Sequence, residues 1–164
     1  MYLLDTQVVW ELRSARAGLA DPALASWAAG QSRTSLFLSA LTVAELASGA
    51  LQVERADKAA AAAIRRWIEG PVTMAFDGRV VAIDAAVARR AMTLSYPDLR
   101  DGLIAATALE HGLTLATRQP AAFKTGKVKT FNPWGYSPDT TDDDDWRQAA
   151  RGGPLWLKNL FVRG

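Results

Sequence analysis

The stretch that most constrains this chain is residues 101–118, Asp101-Gly102-Leu103-Ile104-Ala105-Ala106-Thr107-Ala108-Leu109-Glu110-His111-Gly112-Leu113-Thr114-Leu115-Ala116-Thr117-Arg118. Alanine and leucine dominate residues 103–109, and both favour a helix. Gly112 stands where a left-handed C-terminal cap belongs. Residues 113–116 then form an apolar run too short for a helix and suited to a strand covered on both faces. A helix turned tightly into a buried strand needs partner strands on either side, which points to a parallel α/β sheet.

The rest of the chain supplies them. Tyr2-Leu3-Leu4 is an apolar triplet that stops at Asp5 and Thr6, with Thr6 a possible cap for a short helix through Val8, Val9, Trp10 and Leu12. Pro22 opens a second helix carrying Leu24 and Trp27. Residues 36–39, 80–83 and 128–131 read as further strands, and helices are expected from Thr42 to about Gly49, over residues 58–68 and after Asp84. Gly70-Pro71 interrupts the helix over residues 58–68, and the pattern leaves open whether a helix resumes through Met74 and Phe76. Strands alternating with helices imply an α/β fold, one parallel sheet with helices on both faces.

Beyond Tyr136 the composition changes to an acidic run, Asp142-Asp143-Asp144-Asp145, followed by a glycine break and an apolar-basic end that includes Trp156, Leu157, Lys158, Leu160, Phe161 and Arg163. The expected division is a domain over residues 1–136 and a tail over residues 137–164. The simpler reading has the apolar end packing on its own domain. The sharper one has it docking in a groove, with Arg163 near the carboxylates.

The chain has no cysteine, which removes thiolate metal sites and cysteine nucleophiles and suits a reducing compartment. No run approaches the roughly 20 apolar residues of a membrane span. The expectation is a cytoplasmic protein with no membrane segment. A net charge of +2, with basic pairs at Arg65-Arg66 and Arg89-Arg90, is compatible with nucleic acid. There is no P-loop, G-x-G-x-x-G or G-x-S-x-G motif.

Three acids occupy comparable places: Asp5 after the first strand, Glu45 near a helix start after the second, and Asp101 at the start of the central helix. In neighbouring parallel strands they would converge at one edge. Crowded carboxylates repel unless a hard cation such as Mg²⁺ or Mn²⁺ offsets them, and such an ion can activate water against a phosphodiester. Each acid also has a purely structural alternative. Thr42-x-x-Glu45 matches a capping box, and Asp101 could sit in the first turn of its helix, where the dipole favours an acid. Asp84 reads as a cap, and His111 as an exposed residue of a last helical turn. An aspartate-nucleophile phosphatase is disfavoured, because Gln7 leaves no Asp-x-Asp pair.

Five motifs, Leu3-Leu4-Asp5-Thr6, residues 39–46, residues 101–108, Leu115-Ala116-Thr117-Arg118 and Phe131-Asn132-Pro133-Trp134, together resemble the PIN-domain family. The likeness is to the VapC- and FitB-like toxins of bacterial toxin–antitoxin pairs. The resemblance implies a three-layer α/β/α sandwich and a Mg²⁺- or Mn²⁺-dependent endoribonuclease. It also implies an RNA substrate, a cognate antitoxin and a homodimer. It carries Asp5, Glu45 and Asp101 over as catalytic metal ligands, with Thr6, Thr117 and Arg118 at the substrate. Two departures stand out: Gln7 replaces an asparagine of the family pattern, and Gln119 and Ala122 occupy the places of a fourth acid. These departures imply one ion or none in the free protein; should Gln119→Asp leave the metal dependence unchanged, the fourth acid's role would pass to another residue, with Asp98 the first candidate. They also keep open the alternative of a PIN-like binding or regulatory module with weakened catalysis.

Overall fold

The computed structural model describes residues 1–15, 18–137 and Leu160. Five short strands, β1 (Tyr2–Leu4), β2 (Leu36–Ser39), β3 (Val80–Val81), β4 (Thr114–Ala116) and β5 (Thr130–Phe131), form one sheet in the order β3-β2-β1-β4-β5. All four pairings are parallel, with Leu3 opposite Phe37 on one side and Leu115 on the other. The helices are α1 (Thr6–Leu12), α2 (Pro22–Ala29), α3 (Ala40–Glu54), α4 (Lys58–Trp67), α5 (Thr73–Ala75), α6 (Ala85–Met92) and α7 (Leu99–Glu110).

The period of two in a strand divides its side chains between two cores. On one face Leu4, Leu36 and Leu38 pack with Val8 and Leu12 of α1, Leu46 of α3 and Trp67 of α4. On the other, Leu3 and Leu115 pack with Ile104, Ala105 and Ala108 of α7. Helices therefore cover both faces, giving the three-layer α/β/α arrangement expected. Leu3, Leu4 and Leu115 are fully buried, each contributing about 1.5–3 kcal/mol by leaving water.

Several element ends differ from the expected ones, each for a local reason. α3 begins two residues before Thr42, because the Ser39 hydroxyl accepts from the Leu41 amide and caps it. Thr42 thus lies inside the helix, where its hydroxyl donates to the Leu4 carbonyl, and the capping box around Glu45 does not form. Asp5, not Thr6, caps α1, accepting from the Thr6 amide at 2.7 Å. α7 starts at Leu99 because Asp98 caps it through the Arg100 amide. Gly70-Pro71 does not break the chain direction: a wider turn over Ile68–Val72 carries α4 into α5. As expected, Asp84 caps α6, and Gly112, at φ 61°, reverses the chain between α7 and β4.

Beyond Ser137, only Leu160 of the tail falls within the described residues. It is buried in the first core and its carbonyl accepts from the Trp67 indole N–H at 2.7 Å. The acidic run, Trp156, Leu157, Phe161 and Arg163 lie outside them. Among the described residues, no helix is long and apolar enough to cross a membrane.

Candidate active site

Parallel strands bring their C-terminal ends to one edge, and the order of this sheet turns back at β1, which pairs with both β2 and β4. Such a switch point is where open α/β sheets bind ligands. Asp5 leaves β1 there, and Thr117 leaves β4 beside it. α3 starts from the end of β2 at the same edge, with Glu45 on its second turn. α7 returns toward β4 against the strand direction, which brings its first turn, and Asp101, to that edge as well.

The three acids converge, and what they converge on is Arg100. Its Nη2 donates to Asp5 Oδ1 at 2.6 Å, its Nη1 to Asp101 Oδ1 at 2.8 Å, and its Nε to Glu45 Oε1. Two hydroxyls hold the outer oxygens: Thr117 donates to Asp5 Oδ2 at 2.7 Å and Thr6 to Glu45 Oε2. Thr117 is itself fixed by the Gln119 amide at 3.2 Å. Asp5 and Thr117 are buried, while the side chains of Glu45, Asp101 and Arg100 are about a quarter to a third exposed. Burial by itself would lower the Arg100 guanidinium, but the hydrogen bond to Glu45 and the charge of Asp5 outweigh it. The net effect holds Arg100 above the ordinary arginine value.

Of the residues picked out in the sequence, Asp5, Glu45, Asp101, Thr6 and Thr117 form one cluster. Arg118 lies outside it: exposed, its guanidinium stacks 5.1 Å over the Trp134 ring and stands 3.9 Å from Glu11. It lines a groove of about 370 Å³ with Thr6, Gln7 and Trp10, and a second groove of about 390 Å³ runs from Thr6 and Trp10 along Glu45 to Val53. The two share Thr6 and Trp10. Gln119 and Ala122 are exposed. Asp98 is occupied as a helix cap, and His111 is exposed at the end of α7.

Arg100 is the residue that sequence reasoning missed. A signal was present: a cation in the first turn of a helix opposes the dipole, so an arginine there needs anions to hold it. As they stand, no three Asp, Glu or His side chains among the described residues are grouped closely enough to hold an ion, because the guanidinium spaces the carboxylates apart. The donor set nevertheless fits a hard divalent cation. It offers three carboxylates and no sulfur or imidazole, all turned toward one point of positive charge.

The model of the PIN domain matches residues 2–126. The chain is 35% identical over 147 residues to the VapC ribonuclease Y4jK of Sinorhizobium fredii, covering 82% of this chain and 98% of that protein. It is 34% identical over 142 residues to Toxin FitB of Neisseria gonorrhoeae, covering 82% and 99%. Among solved structures, FitAcB from Neisseria gonorrhoeae superposes with a TM-score of 0.74 at 31% identity, covering 82% of this chain and 99% of that one. A structure of FitAB bound to an IR36 DNA fragment gives 0.73 at 30% identity, covering 85% and 100%.

Proposed function

The chain belongs to the PIN-domain family, among its VapC- and FitB-like toxins, and from that premise we propose that it is a divalent-metal-dependent endoribonuclease. The observation that carries the reading is the convergence of Asp5, Glu45 and Asp101 on a single cation at the switch point of the sheet. The name ribonuclease attached to the Sinorhizobium relative supports RNA as the substrate. In this reading Asp5, Glu45 and Asp101 hold one Mg²⁺ or Mn²⁺. When bound, such an ion supplies Lewis acidity and a water of lowered pKa for attack on a phosphodiester.

The chain's own residues have distinct tasks. Thr117, buried, and Thr6 fix the rotamers of Asp5 and Glu45, so that the carboxylates are oriented before an ion arrives. Arg118, exposed beside the groove at Thr6, takes the RNA backbone, its guanidinium prepared by stacking on Trp134. The neutral side chains at Gln119 and Ala122 support a one-ion site, since a second divalent ion would lack anionic ligands. The FitAB and FitAcB structures support an antitoxin as the partner of this chain. A homodimer, and a division into a PIN domain over residues 1–136 and a tail over 137–164, complete the proposal.

A second reading has one specific observation in its favour. Arg100 already offsets part of the carboxylate charge, as expected of a PIN-like module that binds RNA or protein without cutting. The test separates them. Protein purified free of any partner should cut RNA with Mn²⁺ or Mg²⁺ and stop with EDTA. Asp5→Asn, Glu45→Gln and Asp101→Asn should each lower the rate by more than about 100-fold, since even residues that only orient metal ligands cost about 10–100-fold. RNA binding without cleavage at any metal concentration would favour the second reading. Cleavage that survives all three substitutions would put the chemistry elsewhere.

A further inference from the structure

Arg100 approaches the carboxylates from α7, one residue ahead of Asp101, and its three donor nitrogens go to three different acids instead of gripping one in a fork. We infer that Arg100 is a built-in competitor for the divalent ion and sets the concentration at which the site loads. This rests on the reading of the cluster as a metal site.

The allocation of oxygens carries the argument. Asp5, Glu45 and Asp101 each give one oxygen to Arg100. The other oxygens of Asp5 and Glu45 are held by Thr117 and Thr6. Only the second oxygen of Asp101 has no hydrogen bond among the described residues. An ion that gathers all three acids through the oxygens they turn toward one another must therefore displace the guanidinium, which already occupies that point. The two cations also cannot share the centre. Mg²⁺ holds its oxygens at about 2.0–2.1 Å in a compact octahedron, whereas Arg100 spreads Asp5 and Asp101 to 2.6 and 2.8 Å from separate nitrogens.

The competition is one the ion can win. One guanidinium against three carboxylates leaves the cluster two negative charges in excess, whereas a divalent ion in its place leaves one. Nor is Arg100 trapped. Its side chain is 31% exposed, so it can swing into solvent without crossing a core, and it leaves a helix start whose dipole opposes it. In the free protein Arg100 thus offsets part of the charge of the three acids, and the ion must work against that arrangement.

The experiment titrates Mn²⁺ into wild type, Arg100→Ala and Arg100→Lys by calorimetry, with the Mn²⁺ resonance signal as a second measure of bound ion. Arg100→Ala should bind Mn²⁺ at least about tenfold tighter. Arg100→Lys, a point charge that cannot reach three acids at once, should fall between. In EDTA the alanine variant should melt below wild type, and Mn²⁺ should raise its midpoint by more than it raises that of wild type. Equal or weaker Mn²⁺ binding by both variants would overturn the inference. The ribonuclease reading fails separately. If RNA is never cut while the affinities still order as stated, that reading falls and this one stands. Metal-dependent cleavage with identical affinities in all three proteins gives the reverse.

Discussion

Arg79, immediately before β3, and Arg100, on α7, are both half-buried, and each satisfies three oxygen-bearing partners. Arg79 donates to the carbonyls of Arg33, Leu36 and Ala75, the Leu36 contact at 2.9 Å, and its guanidinium lies 5.5 Å over the Phe76 ring. Arg33 adds bonds to the carbonyls of Ala75, at 3.1 Å, and Met74, at 2.6 Å. Burial and the neighbouring Arg33 lower the Arg79 guanidinium, with Asp77 offsetting only part. Arg100 is shifted the opposite way by its carboxylates. The difference lies in the partners. Backbone carbonyls are neutral and fixed, so Arg79 acts as a staple between the end of α5 and the start of β2. Carboxylates carry charge that any cation can claim, so the place of Arg100 is exchangeable.

That contrast can be broken most readily at Arg79. Arg79→Met should destabilise the fold by about 1–3 kcal/mol, because carbonyls are left without donors, as read by urea unfolding. Its Mn²⁺ affinity and its cleavage rate per folded molecule should match wild type. A change in metal affinity would mean that the two arginine clusters are coupled, and the division into staple and exchangeable counter-ion would fail.

A smaller effect sharpens the other side. Thr117→Val keeps the shape of a buried side chain but removes the hydrogen bond to Asp5 Oδ2. Cleavage and Mn²⁺ affinity should fall together by about tenfold, the lower end for a residue that orients a metal ligand, and Thr117→Ser should recover both. A loss confined to RNA affinity would instead assign Thr117 to the substrate.

The smallest effect comes from a third arginine, Arg65, paired with Glu54 at the surface through contacts of 3.2 and 2.6 Å. The hydrogen bond from Arg65 and its charge hold Glu54 below the usual carboxylate range. A depressed folded value means that the pair contributes fully above the unfolded value of 4.5 and loses that contribution as pH falls through the folded one. Glu54→Gln should therefore melt slightly below wild type at neutral pH, and the gap should close in acid and in high salt. A gap that persists in both would show that the pair is not a solvent-screened one.

Local pattern carried much of the architecture. Tyr2–Leu4 and Leu36–Ser39 read as strands over the residues that form them, because short apolar runs between polar breaks have few alternatives. Gly112 and Asp84 behave as expected because the demands of a left-handed turn and of a helix start are themselves local. The errors were local too. The Thr42-x-x-Glu45 spacing matched a capping box, but Ser39 offered a hydroxyl three residues earlier and the helix began there. Asp5 proved to be a cap while keeping Oδ2 for Thr117, a double role that a sequence pattern does not separate.

The chain's own order of residues thus determined the alternation of helix and strand, the acid at each element end and the family, since these follow from periodicity, capping chemistry and motif. Only the tertiary structure decided what those acids hold. Arg100 meets Asp5 across 95 positions of chain and Glu45 across 55, separations at which local pattern carries no information about contact. That meeting depends on β1 pairing with both β2 and β4, and on α7 packing against the face that carries Leu3 and Leu115. Coulomb attraction then places Arg100 among three carboxylates that would otherwise repel one another.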